Sequence, residues 1–274
     1  MGGWIVELIP IVSKEAYLAA AIHDLIHIPY SPAHSIPHAL YPSSLGPLLY
    51  VAYRIERHGL WGKLFRYLVG VEPLIDEEIA SIINELRSID VYRWSEIETI
   101  LISISERIRT LYNGVRSMVV ECIKKVFGFR RFFTKLFVIH GFNPTPHASY
   151  GSVLHLDDED IVVAIYVNDA HGEKHALDVV IHELLHGLVR LNGVELEHDV
   201  EELIIDISAP EGYLSKMIGL VNEVRVKLED ILHALQNPQR IEQYRQLFNS
   251  LVEYYEKRMY ERINVLDWVS MRMR

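Results

Sequence analysis

The sequence predicts an α+β protein, predominantly α, with a small antiparallel sheet beside one buried helix and a helical N-terminal half. Three observations carry this. Apolar residues recur at three- and four-residue spacing over several stretches, most regularly over 94–127, where Ile97, Ile100, Leu101, Ile104, Ile108 and Leu111 keep one stripe. β-Branched and aromatic runs gather between 131 and 167. From 177 to 191 the pattern is helical and apolar on almost every side, which predicts a buried helix. The texture changes near 131, so the chain divides into a helical region, 1–130, and a second region, 131–274, that carries the chemistry.

In order, 4–12 reads as a short strand that Pro10 confines to an edge. Ser13 is a candidate N-cap for a helix over about 14–28. Helical patterns follow over 44–70, broken by Gly59 and Gly62, then over 73–88 and 94–127. The segment from Phe132 to His140 is β-prone, and 141–152 carries loop punctuation. Val153 to Leu156 is a second strand candidate, the acidic 157–160 a solvated turn, and 161–167 the strongest strand. Asp199 is placed to cap a helix with core face Val200, Leu203, Ile204 and Ile207, ended by Pro210-Glu-Gly212. Two longer helices, about 213–236 and 238–270, complete the expectation, with a frayed tail from Met271 to Arg274.

Composition bounds the partners. The net charge is −10, from 27 basic and 37 acidic residues, which argues against a broad nucleic-acid or anionic-membrane footprint. One cysteine, Cys122, rules out an intrachain disulfide and a cysteine-based zinc site. No uncharged stretch reaches about 18 residues, so no membrane span is expected. The start, Met-Gly-Gly-Trp-Ile-Val-Glu, lacks a basic leader, and the cytoplasm is the expected compartment.

The buried helix contains His182-Glu183-Leu-Leu-His186. A four-residue offset puts both histidines on one face, where two imidazoles can bind one Zn²⁺ with Glu183 beside the open position. A metal would also satisfy polar groups that are otherwise costly to bury. A second pair, His23-Asp24-Leu-Ile-His27, has the same offset, followed by His34 and His38 in a proline-rich loop. No third ligand on a nearby helix is evident there, so core or surface histidines are the expectation.

The stretch 161–207 resembles the zincin metallopeptidases, most closely the gluzincin or thermolysin-like branch. His186 is followed by Val189 and Asn192 where a metzincin would have Gly and His. The resemblance implies a zincin-like catalytic core, a zinc cofactor and a peptide or protein substrate. It also implies a strand along the cleft, and a Glu on the following helix as third ligand with an Asp four residues later supporting the first His. Glu202-Leu-Ile-Ile-Asp206 has that spacing. In the implied mechanism, zinc polarises the scissile carbonyl and Glu183 takes the proton of the attacking water. The 161–167 strand would pair with an extended substrate. His233 and Tyr213 are candidate oxyanion donors only because they come later and can donate.

The residues themselves leave His198, Glu201 and Glu202 open as third ligand. Glu202 is favoured because it shares a helix face with Asp206, which could hold a ligating imidazole by its free N–H. The alternative function is a metal-binding regulatory or interaction protein with the same fold and no turnover. A third reading is a metal-free helical protein with His182 and His186 simply buried.

Overall fold

The computed structural model describes residues 6–27, 40, 42–73, 76–143, 150–168, 170, 172–232, 235–259, 261 and 263–272. A short strand β1 (Glu7–Ile11) leads into α1 (Lys14–His27), α2 (Pro42–His58), α3 (Trp61–Leu68), α4 (Glu77–Ser88) and the long α5 (Trp94–Phe127). Strands β2 (Lys135–Phe142), β3 (Tyr150–Leu156) and β4 (Asp160–Val167) follow, then α6 (Glu173–Leu191) and α7 (His198–Asp206). The short α8 (Tyr213–Ile218) and α9 (Leu228–Ile231), then α10 (Ile241–Glu253) and α11 (Val265–Arg272), complete the chain.

Local signals explain many boundaries. Ser13 Oγ accepts the Ala16 N–H at 3.1 Å, and Asp76 caps α4 by accepting from Glu78 and Ile79. The 44–70 pattern breaks once, at Gly59, whose φ of +61° an L side chain rarely adopts. Gly62 instead lies inside α3, against the His155 ring.

The sheet corrects the antiparallel expectation. Its order is β1-β2-β4-β3, with β1–β2 and β2–β4 parallel and only β3–β4 antiparallel. The reason is connectivity. Five helices carry the chain from β1 back to a parallel start at β2, and the acidic turn between β3 and β4 closes the one hairpin. β4 is therefore internal, flanked on both sides. It has no free edge to offer a substrate, contrary to the expectation for 161–167; the edge strand on this side is β3.

β4 is buried on both faces, which accounts for its unbroken apolar run. On one face Leu136, Val138, Ile161, Val163 and Ile165 pack with α6 and most of α5. On the other, Phe137, Ile139, Val162, Ala164 and Tyr166 pack with α1 to α4 and the start of α5. Gly187 lets α6 approach β4 closely, since a Cβ there would fall 2.1 Å from Ile161 Cδ1.

Three further expectations are revised. Helix α7 starts at His198, with Glu197 at the cap position and no side-chain cap bond. Asp199 is instead buried and accepts the Gln236 and Asn237 N–H groups at 2.8 and 3.1 Å, together with the Tyr244 hydroxyl. The 213–236 helix stops at Gly219, left-handed at φ +85°. The 238–270 helix is interrupted by a wide turn, Tyr254–Arg258, after which Asn264 caps α11.

The turn between α7 and α8 is closely packed. A Cβ on Gly212 would lie 2.3 Å from the Ile207 carbonyl oxygen and 2.5 Å from the Ser208 carbonyl carbon. Backbone cannot rotate aside as a side chain can, so Gly212→Ala should destabilise the fold by about 1–3 kcal/mol. A thermal denaturation midpoint equal to that of the unaltered protein would contradict this packing account.

Candidate metal centre

Helix α6 presents His182 and His186 one turn apart, with ring centroids 4.8 Å from each other. Their Nε2 atoms are 3.1 Å apart. Each Nδ1 has its own acceptor: His182 Nδ1 lies 2.8 Å from the Ala209 carbonyl, and His186 Nδ1 lies 2.7 Å from Glu201 Oε1. A carbonyl and a carboxylate accept, so both Nδ1 atoms are assigned the proton. In neutral imidazoles this leaves two bare Nε2 lone pairs facing one another.

Helix α7 brings up the third group. Glu202 Oε1 is 3.7 Å from His186 Nε2, and one ligand atom each from His182, His186 and Glu202 fits within 4.8 Å. Among the described residues this is the only such group of His, Cys, Asp or Glu side chains. Two nitrogens and one carboxylate oxygen are the donor set of a catalytic zinc site with an open position, so the residues fit Zn²⁺.

The electrostatics point the same way. Burial pulls His186 down to about 4, against the opposing effect of the hydrogen bond it donates to Glu201, so its ring is neutral at pH 7. Burial pushes Glu202 up to about 7 and Asp206 up to about 7. Burial, then the nearby Glu202 charge, holds Glu183 well above the usual carboxylate range. Burial also raises Glu201, but the His186 hydrogen bond and surrounding positive charge outweigh it and keep its carboxyl low. Several acidic groups in a water-poor cluster are stabilised by a cation.

Glu183 sits beside this group, its Oε1 3.9 Å from His182 Nε2. Its side chain leans on the edge strand, where a Cβ at Gly151 would come within 2.6 Å of Glu183 Cγ. On the opposite face of β3, Asp24 from α1 is buried and accepts from Ser152 Oγ at 2.8 Å, Tyr166 Oη at 3.0 Å and Tyr150 Oη at 3.2 Å. Asp24 thus ties the end of β3 to β4 where Gly151 meets Glu183.

Of the residues singled out from sequence, His182, Glu183, His186 and Glu202 come together. Asp206 lies 3.5 Å from His182 Nδ1, farther than the Ala209 carbonyl, which accepts the Nδ1–H at 2.8 Å. Glu201 bonds His186 through Nδ1, the nitrogen away from the cluster. His198 is largely exposed and 3.7 Å from Glu202. Tyr213 stacks on Tyr255 and donates to Glu256. His233, His34 and His38 lie outside the described residues. His23 and His27 pack against Trp61, with His27 Nε2 3.2 Å from Glu56. Asp157 accepts the N–H groups of Glu159 and Asp160, which makes 157–160 a self-closed turn. Sequence reasoning missed Glu201 as a His186 partner, the Ala209 carbonyl, and Gly151. Gly151 falls in the stretch 141–152 expected as loop, whereas β2 runs on to Phe142 and β3 starts at Tyr150, which puts Gly151 inside a strand.

Among the described residues no helix is long and apolar enough to cross a membrane. Comparison with protein-family models, with curated proteins and with solved structures gives no match.

Two outcomes follow from this geometry. Ligation needs Glu202 ionised, and its carboxyl titrates at about 7 before any metal arrives. Zinc affinity should therefore weaken as pH falls below that value, by about tenfold per pH unit for each proton displaced. Calorimetric titrations at pH 6 in buffers of differing ionisation heat should detect proton release; equal affinity at pH 6 and 8 would contradict it. In addition, His23→Ala combined with His27→Ala should leave zinc stoichiometry unchanged by atomic absorption. Loss of one metal equivalent would place a second site on α1.

Proposed function

We propose that the chain is a zinc-dependent peptidase, with His182, His186 and Glu202 holding the metal and Glu183 as general base. The convergence of those three ligand atoms, with Glu183 adjacent, is the observation that carries this reading. Zinc, when bound, supplies Lewis acidity and lowers the pKa of a coordinated water.

The chain's own residues supply the rest. Glu201 and the Ala209 carbonyl fix both imidazole rings by their Nδ1 protons, so each Nε2 keeps its lone pair toward the site. The Glu183 carboxylate accepts the proton of the attacking water and returns it to the leaving amine. Burial limits competing water: the side chains of His182, Glu183, His186 and Glu202 are 12%, 7%, 10% and 16% exposed. Among the described residues β3 is the edge strand beside α6, and the missing side chain of Gly151 lets Glu183 lie over the face of that strand. An extended peptide pairing with β3 would therefore run past the general base. The intact Glu183 favours turnover over a metal-stabilised binding role, since a structural zinc has no use for a base.

The test is hydrolysis of a mixed peptide library by the zinc-loaded protein, with and without chelator. Glu183→Gln should retain zinc and lose turnover by roughly 10²-fold or more. Undiminished hydrolysis by that variant would remove Glu183 from the mechanism.

A further inference from the structure

Helix α6 carries His182, His186 and Arg190 at successive four-residue intervals, so the three project from one face a turn apart. That face is buried at His186 and opens at Arg190, which is exposed. The Arg190 charge acts on Glu183, His186, Glu201 and Glu202. No hydrogen bond or ion pair to another described residue engages its guanidinium.

An arginine in this position cannot serve as ligand or base, because it stays protonated and has no acceptor atom. A permanent positive charge beside a cation site opposes the cation, and the surrounding carboxylates have to offset it. What the group offers is a planar fork of donors that matches a carboxylate in two parallel hydrogen bonds. One helical turn is roughly 5.4 Å, and an extended peptide advances roughly 3.3 Å per residue. A carboxylate gripped by Arg190 therefore belongs within one to three residues of the bond at the metal centre.

We propose that Arg190 is a specificity-determining residue that anchors a carboxylate of the peptide substrate close to the scissile bond. This rests on the peptidase reading above. The carboxylate has two sources: the peptide's own C-terminus, which would make the activity a carboxypeptidase-like trimming, or an Asp or Glu side chain near the cleavage point.

Two matched peptide pairs separate the sources. One pair differs only in a free or amidated C-terminus. The other, amidated throughout, differs only in Glu or Gln flanking the cleaved bond. The zinc-loaded protein should prefer the charged member of one pair by about 10–100-fold in kcat/KM, expressed mainly in KM, as expected for a charge-assisted hydrogen bond. In Arg190→Met that ratio should collapse to near unity with zinc content retained, and Arg190→Lys should restore part of it. The proposal is overturned if neither pair is discriminated, if Arg190→Met keeps the preference, or if Arg190→Met slows both members of a pair equally. Binding of the same peptides to zinc-loaded Glu183→Gln, read by fluorescence anisotropy, needs no turnover. Arg190-dependent binding of the charged member without hydrolysis by the unaltered protein would uphold the anchor and reject the peptidase. Hydrolysis without charge preference would do the reverse.

Discussion

Two imidazole nitrogens, His182 Nε2 and His186 Nε2, face each other 3.1 Å apart with their protons committed to the far side of each ring. Two lone pairs at that distance repel unless something positive lies between them. Much of the surrounding architecture serves to hold this arrangement. Helix α6 fixes the spacing, α7 delivers Glu201 to one ring and Glu202 to the gap, and the turn after α7 delivers the Ala209 carbonyl to the other ring. Asp199 in turn fastens α7 to the 236–237 backbone and to Tyr244 on α10. The C-terminal helices thus brace the helix that supplies the acidic groups.

The sheet contributes differently. Its internal strands make a platform buried on both faces, and α6 packs close to it at Gly187. Its edge strand β3 is tied down from the opposite face by Asp24, which accepts from two hydroxyls of β3 and one of β4, and it touches Glu183 through the side-chain-free Gly151. Asp24 from the first helix bonds Tyr150 and Ser152, and Glu183 from α6 meets Gly151 between them, so the two helices act on three consecutive positions of one strand from its two faces. On the proposed reading, the edge that would receive an extended substrate is positioned from both sides.

Periodicity made the long helices legible. The 94–127 pattern matches α5, and the apolar helix with its His-Glu-x-x-His run matches α6. The Glu202–Asp206 spacing pointed to a side chain that does reach the histidines. Less legible was anything decided by distant parts of the chain. Strand direction depended on how five helices return the chain to β2. Asp199 has the chemistry of an N-cap, but its side chain serves residues 236 and 237. The C-terminal stripe continued through 254–258, where the backbone widens, because apolar spacing does not report a local change of helical pitch. Which of two adjacent glutamates binds a ring and which faces the gap depends on the crossing of α6 and α7.

On the proposed reading, two Nε2 atoms and the Glu202 carboxylate hold one zinc ion. X-ray absorption spectroscopy of the zinc-loaded protein addresses it directly. The expected spectrum shows one zinc per chain, two imidazole nitrogens at about 2.0–2.1 Å, oxygen in the remaining positions, and loss of one oxygen scatterer or of bound metal in Glu202→Ala. A zinc shell with three imidazoles, or an unaltered shell in Glu202→Ala, would contradict it.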